Sequence, residues 1–118
     1  MIYISGPMTG MPDHNYPLFN LVAAELRMRG HEVINPAELD ALEDVPGSMP
    51  WEWYLRRDLK AMLDCDTLVL LPEWRISRGA KLEVYVANKL KMNIYEIDIN
   101  DFKLKKTRLG NKESLIPV

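Results

Sequence analysis

The sequence has little of what several function classes require. One cysteine, Cys65, stands in 118 residues, which excludes an intramolecular disulfide. The two histidines, His14 and His31, are scattered relative to that cysteine and make a poor zinc set, so neither a structural metal nor a cofactor is expected. Long apolar runs are missing as well. The longest, Leu68 to Leu71, falls far short of the roughly 20 residues that a spanning helix needs. The chain opens on a strand-like segment rather than a signal-peptide pattern, so a cytoplasmic protein without a membrane partner is expected. There is no excess of positive charge either: 17 acidic residues against 15 basic ones give a net charge of −2. No global pull toward a nucleic acid polymer or an anionic membrane follows, and small molecules become the expected partners. What remains, 47% hydrophobic and 27% charged residues, is the composition of one domain with an ordinary core.

The order of elements alternates. MIYIS, Met1 to Ser5, is short and apolar and stops at Gly6-Pro7, which predicts a buried first strand. Asn15 is placed to cap a helix that tolerates Pro17 early and runs to about Arg29, with Gly30 as its stop. A second strand is expected over Glu32 to Asn35. AELDALED suggests a short helical turn within a surface excursion from Pro36 to Met49, broken at Pro46-Gly47. A second long helix is expected from Pro50 to about Leu63, and a doubly buried strand from Asp66 to Leu71. Ser77 then caps a third helix reaching Lys91, followed by a strand from Asn93 to Asp98. Such alternation implies a parallel sheet with helices on both faces and ligand loops at the strands' carboxyl ends, here GPMTG and PEWRIS. Ile99 to Val118 reads as a basic tail, solvated or packed on a neighbouring subunit.

Two acids stand on faces where acids are costly. At about 100° per residue, Asp58 falls within the stripe formed by Trp51, Tyr54, Leu55 and Met62, and Glu83 falls within the arc of Ala80, Val84, Val86, Ala87 and Leu90. An inward carboxylate must be protonated, paired or in a cleft. Pairing of Asp58 with Arg56 or Arg57 and an internally satisfied Glu83 is one alternative; a shared cleft is the other. Paired carboxylates in a cleft, without a metal set or a nucleophilic cysteine, favour glycosidic-bond chemistry, one acid attacking or orienting while the other manages protons. The loop Gly6-Pro7-Met8-Thr9-Gly10 can present N–H groups to a phosphate or serve only as a tight strand-to-helix turn. Arg75, Ser77 and Arg78 add donors at a helix N-terminus. Among the aromatics, Tyr3 at the end of the first strand and Trp74 in the ligand-side loop are the candidates to stand at a site. Cys65, flanked by acids, reads as an inert thiol.

YISGPMTG at Tyr3 to Gly10, NPAE at Asn35 to Glu38, DLKAML at Asp58 to Leu63 and WRISRGAKLE at Trp74 to Glu83 together resemble the nucleoside 2-deoxyribosyltransferase-like superfamily. Within it the chain is most similar to a small phage and bacterial branch. The resemblance covers Met1 to Asp98 and leaves the 99–118 tail outside. It implies a doubly wound, flavodoxin- or Rossmann-like three-layer α/β sandwich with a mainly parallel sheet of four to five strands, assembled as a homodimer or larger homo-oligomer. It also implies cleavage of the N-glycosidic bond of a deoxynucleoside or its 5'-monophosphate. By the same resemblance Glu83 would be the nucleophile, Asp58 would help protonate the departing base, and Tyr3 would position the Glu83 carboxylate. Ser77, where the transferases have an aspartate, is similar to the monophosphate hydrolases, and with Gly79 and the Thr9-Gly10 backbone it would hold a 5'-phosphate. Those hydrolases carry an arginine in the glycine loop where this chain has Met8 and Thr9, leaving Arg75 or Arg78 to compensate. The expected activity is therefore a nucleotide N-glycosidase; a deoxyribosyltransferase and a catalytically weak nucleotide-binding module are the alternatives. A Glu83 open to a pocket and bonded to Tyr3 favours the enzyme, whereas one locked to Lys81 or Arg78 favours the module.

Overall fold

A computed structural model describes residues 1–107 of the chain. The apolar run Ile2–Ser5 forms β1, buried at every position. Tyr16–Met28 forms α1, Val33–Ile34 β2, Pro36–Ala41 α2, Trp51–Met62 α3, Thr67–Leu70 β3, Arg78–Lys89 α4, Asn93–Ile97 β4 and Leu104–Lys106 β5. The sheet order is β2-β1-β3-β4-β5. β1 pairs in parallel with β2 and β3, and β3 in parallel with β4, while β5 runs antiparallel to β4. The result is a mixed α/β sandwich with a mostly parallel five-stranded sheet. Chain direction across the sheet reverses between β1 and β3, and the carboxyl ends of those two strands are where a crevice opens in such sheets.

Alternation along the strands divides the core into two layers. Ile2, Ile4, Val69 and Leu71 pack toward Phe19, Val22, Ala23 and Leu26 of α1. Tyr3, Leu68 and Leu70 pack on the opposite face against Met62 of α3 and Ala80, Val84 and Ala87 of α4. Each fully buried leucine in these layers contributes roughly 1.5–3 kcal/mol relative to exposure. Gly6 is required by close approach, because a Cβ there would stand 2.8 Å from Leu71 Cβ.

Several expected features are placed differently. The first part of the tail is not solvated coil: Leu104–Lys106 adds the edge strand β5, so the domain continues past residue 98. Leu104 packs against the α1-side core, which supplies the apolar anchor. Residues 108–118 of the expected tail lie outside the described residues. Asn15 does not cap α1; it adopts a left-handed conformation at φ 62° and makes no side-chain capping bond. Its Nδ2 instead donates to the Pro7 carbonyl at 3.0 Å, tying the glycine loop to the helix start. Asp13 and His14 are left-handed too, at φ 51° and 52°, a local strain of order 1 kcal/mol or more per residue. β2 is shorter than expected because Asn35 leaves the strand to cap α2, accepting the Ala37 N–H at 3.0 Å. In α3 the stripe Trp51, Tyr54, Leu55 does not enter the core: Trp51 is exposed and only Met62 of the helix is buried. In α4, Leu90 follows the last helical residue and is exposed rather than part of the buried arc.

Candidate functional site

Period two in β1 sends Tyr3 and Ser5 to the same face, and α4 brings Glu83 over both. Glu83 is 6% exposed. Its Oε2 accepts the Tyr3 hydroxyl at 2.5 Å and its Oε1 accepts the Ser5 hydroxyl at 2.7 Å. No ion pair among the described residues joins it to Lys81 or Arg78, and its carboxylate lines a cavity of about 250 Å³. Burial pushes its pKa up to about 8, the charge of Asp58 adds to the rise, and the Tyr3 and Ser5 hydroxyls oppose it. Tyr3, itself fully buried beside that carboxyl, is held well above the usual phenol range by burial and remains a donor.

Asp58 lines the same cavity from α3. Its Oδ1 accepts from Arg57 Nε at 3.0 Å and Nη2 at 2.9 Å, while Oδ2 has no hydrogen-bond partner among the described residues. Burial raises its pKa to about 6 against the pull of Arg57. The expected alternatives therefore coexist here: Asp58 is paired with Arg57 and also faces a cleft.

The Pro36 to Met49 segment is not a detached excursion. It builds one wall of the cavity, contributing Asp40, Pro46 and Gly47. Asp40 Oδ1 accepts from Arg57 Nη2 at 2.5 Å, and Oδ2 accepts the Tyr16 hydroxyl at 2.6 Å. Glu43 Oε2 stands 3.6 Å from Arg57 Nη1, and its Oε1 accepts the Tyr54 hydroxyl at 3.0 Å. One guanidinium thus ties three carboxylates from two segments, with its plane near the rings of Tyr54 and Trp53. Sequence reasoning missed Asp40, Tyr16 and Tyr54 as cavity residues and Ser5 as the second hydroxyl bound to Glu83. Ser5 was recoverable, since it lies two residues from Tyr3 on a strand; the others are joined only through the fold.

The remaining expected site residues divide. Gly6, Met8, Thr9, Ser77 and Gly79 reach the cavity. Ser77 also caps α4, its Oγ accepting the Ala80 N–H at 3.1 Å. Pro7 and Gly10 shape the loop from outside the cavity lining, Gly10 by taking φ +82°, a conformation open to glycine at little cost. Trp74 is not brought to the Glu83 cavity. It is 2% exposed, and its Nε1 donates to Glu96 Oε1 at 3.0 Å. The 3-10 turn Trp74–Ile76, entered through a left-handed Glu73, rotates it toward β4. There it lines a second cavity of about 370 Å³ at the ends of β3 and β4, with Arg75 stacked 4.4 Å over its ring. That cavity is lined by Glu73 and Glu96, whereas Glu83 and Asp58 line the first one. Of the two arginines expected to compensate for the glycine loop, Arg75 faces Trp74 and Glu96, whereas Arg78 lies 4.2 Å over the ring of Trp51, which lines the Glu83 cavity, without lining it itself.

No cluster of metal-ligating side chains occurs among the described residues, and no helix there is long and apolar enough to cross a membrane. Burial raises the Cys65 thiol pKa, with Asp64 and Asp66 adding to it. Compared with known proteins, residues 1–96 match the family described as a domain of unknown function, DUF4406. No curated protein matches the chain.

Proposed function

We propose that this chain, which belongs to the DUF4406 family, is a hydrolase that cleaves the N-glycosidic bond of a (2'-deoxy)nucleoside 5'-monophosphate through a covalent glycosyl-Glu83 intermediate. The observation that carries the reading is Glu83 itself: a buried carboxyl facing a cavity, held on both oxygens by hydroxyl donors, with a second acid on the same cavity. A carboxylate so fixed cannot rotate away from an anomeric carbon, and positioning of this kind supplies much of the acceleration in covalent catalysis. The resemblance to deoxyribosyltransferase-like enzymes points to the same pair.

In the proposed first step a Glu83 oxygen bonds to C1' as the C1'–N bond breaks. The electron pair of that bond leaves with the base, and protonated Asp58 delivers its proton to the base. Water then attacks C1', Asp58 takes its proton, and the ester to Glu83 breaks, restoring both acids. The phosphate would sit at the N-terminus of α4, where Ser77, Gly79, Gly6, Met8 and Thr9 border the cavity and Arg78 lies over Trp51 nearby. The test is to incubate the full chain with deoxynucleosides and their 5'-monophosphates and follow free base by chromatography. Base release from monophosphates in water supports the hydrolase; release only with a second base present moves the reaction to transfer, and silence across the panel removes it.

The two acids share one proton near neutrality, and the reactive arrangement places it on Asp58 while Glu83 is ionised. Rate against pH should therefore be bell-shaped, with its plateau between about 6 and about 8, the limbs belonging to the pair rather than to either residue. Tyr3→Phe removes a donor that favours ionised Glu83, so the alkaline limb should move up and the maximum should fall about tenfold for each unit of that movement. An unchanged profile would show that the Tyr3 contact has no part in tuning the nucleophile. Asp58→Asn keeps the shape of the side chain but cannot donate a carboxyl proton. It should slow base departure about 10²–10⁴-fold, most for the poorest leaving bases, as read from kcat across a leaving-group series; an equal loss on all substrates would remove Asp58 from the acid role.

A further inference from the structure

We propose that Asp40 makes the Glu83 cavity selective for a base carrying an exocyclic amino group, of the cytosine or adenine kind, over its keto counterpart. The inference rests on the glycosidase reading for its turnover readout and on the geometry of the cavity wall for its direction. Asp40 is 8% exposed, yet it lines the cavity. Its two oxygens accept one hydrogen bond each, from Arg57 and from Tyr16. A carboxylate offers about four acceptor positions, so accepting capacity is left over.

Most donors around it are committed; Arg57 Nη1, which makes no hydrogen bond, is buried and faces Glu43. The Tyr16 proton points to Asp40, so its phenol oxygen meets a ligand as an acceptor, while the Tyr54 hydroxyl donates to Glu43 and accepts the Met49 N–H at 3.2 Å. Arg57 directs its N–H groups to Asp40 and Asp58 and faces Glu43 with Nη1. His14, exposed, also lines the cavity with its ring 5.5 Å from Tyr16. A keto oxygen brought to this wall would face carboxylate and phenol lone pairs; an amino N–H would face acceptors. The scale of the wall also suits a base. Asp40 and Asp58 are both bonded to Nη2 of Arg57, which keeps the amino acceptor close to the acid that protonates the ring, and Trp51, Tyr54 and Leu55 supply apolar surface for the ring faces.

Matched pairs test this directly: deoxycytidine against deoxyuridine, and deoxyadenosine against deoxyinosine, each as nucleoside and as 5'-monophosphate. Release of base from the amino member should be at least about tenfold faster in kcat/KM, since the keto member leaves a buried carboxylate facing an acceptor. Asp40→Asn, which places an amide donor on the wall, should narrow the ratio to within about threefold or invert it. Equal rates for both members in the wild-type chain would overturn the assignment whether or not the Asn variant folds. Absence of base release from every substrate strikes the glycosidase reading alone. The same pairs are then compared by isothermal titration of the full chain, where tighter binding of deoxycytidine than deoxyuridine supports the role of Asp40 and equal affinity, or none, overturns it.

Discussion

Glu83→Ala is expected to lower base release by at least about a thousandfold while leaving the chain folded. The carboxylate is the one group in the cavity whose oxygens are both fixed by buried hydroxyls, so its loss removes the covalent route, and no neighbour is placed to replace it. Asp58, bound by Arg57 on α3, is oriented from a different wall. Retained activity would end the proposed mechanism. Folding is checked independently through stability against pH, where Glu83→Gln is the sharper variant. The folded pKa of Glu83 is raised from about 4.5 to about 8, so the native chain holds a proton through that window that the unfolded chain has released. Stability of the wild type should therefore fall as pH rises from about 4.5 to about 8 and level off beyond. Glu83→Gln lacks that decline. Asp58, whose pKa is raised to about 6, leaves a decline below that pH in both chains, so the variant's thermal midpoint should be flat between about 6 and about 8 and exceed the wild type most at pH 8, a difference on the order of a few kcal/mol in stability. A variant that is both inactive and more stable at pH 8 identifies a buried acid kept for chemistry rather than for the fold.

Arg57→Met is expected to produce the largest loss of stability of any single change at the site, on the order of 3–5 kcal/mol at neutral pH. The side chain is four-fifths buried and bridges Asp40 at 2.5 Å and Asp58 at 2.9 Å, with Glu43 at 3.6 Å. Taking away the cation leaves Asp58, whose pKa burial already raises to about 6, without its partner and beside the charges of Asp40 and Glu43, which raise it further. The sign of the pH dependence follows. Asp58, whose folded pKa lies above its unfolded one, costs nothing while protonated, so the variant should come closest to the wild type near pH 4 and fall away as pH rises toward neutrality. Thermal unfolding of both chains between pH 4 and 8 measures this, and a deficit independent of pH would mean that packing on Trp53 and Tyr54, rather than charge, holds Arg57 in place. Because Arg57 also joins the 36–49 wall to α3, the variant should lose base release through KM as well as kcat.

Much of the fold was legible along the chain. β1, β3 and β4 and the helices α1, α3 and α4 follow from apolar runs, breakers and caps that act within a few residues of each other; Ser77 and Gly30 behave as their local chemistry predicts. Asn15 failed as a cap because the chain enters α1 through three left-handed residues, a path with no signature in composition. Tail residues 104–106 were misread because three residues carry too little periodicity to announce an edge strand; pairing with β4 and the burial of Leu104 decide it. The α3 stripe misled in an informative way. Trp51, Tyr54 and Leu55 are apolar for a cavity rather than for the core, and a helical wheel has no means of distinguishing the two.

Sequence by itself determined the class of the fold and the strangeness of Glu83 and Asp58, since side-chain direction in helices and strands is fixed by backbone period and an acid on an apolar face is visible without coordinates. Tertiary structure alone decided what surrounds those acids. Ser5 and Tyr3 meet Glu83 across 78 and 80 residues, and Arg57 reaches Asp40 across 17. Trp74 turned away from the cavity through a backbone angle at Glu73. Such meetings depend on which helix lies over which strand and on how a loop is wound, and both are set by the packing of the whole domain rather than by any run of neighbouring residues.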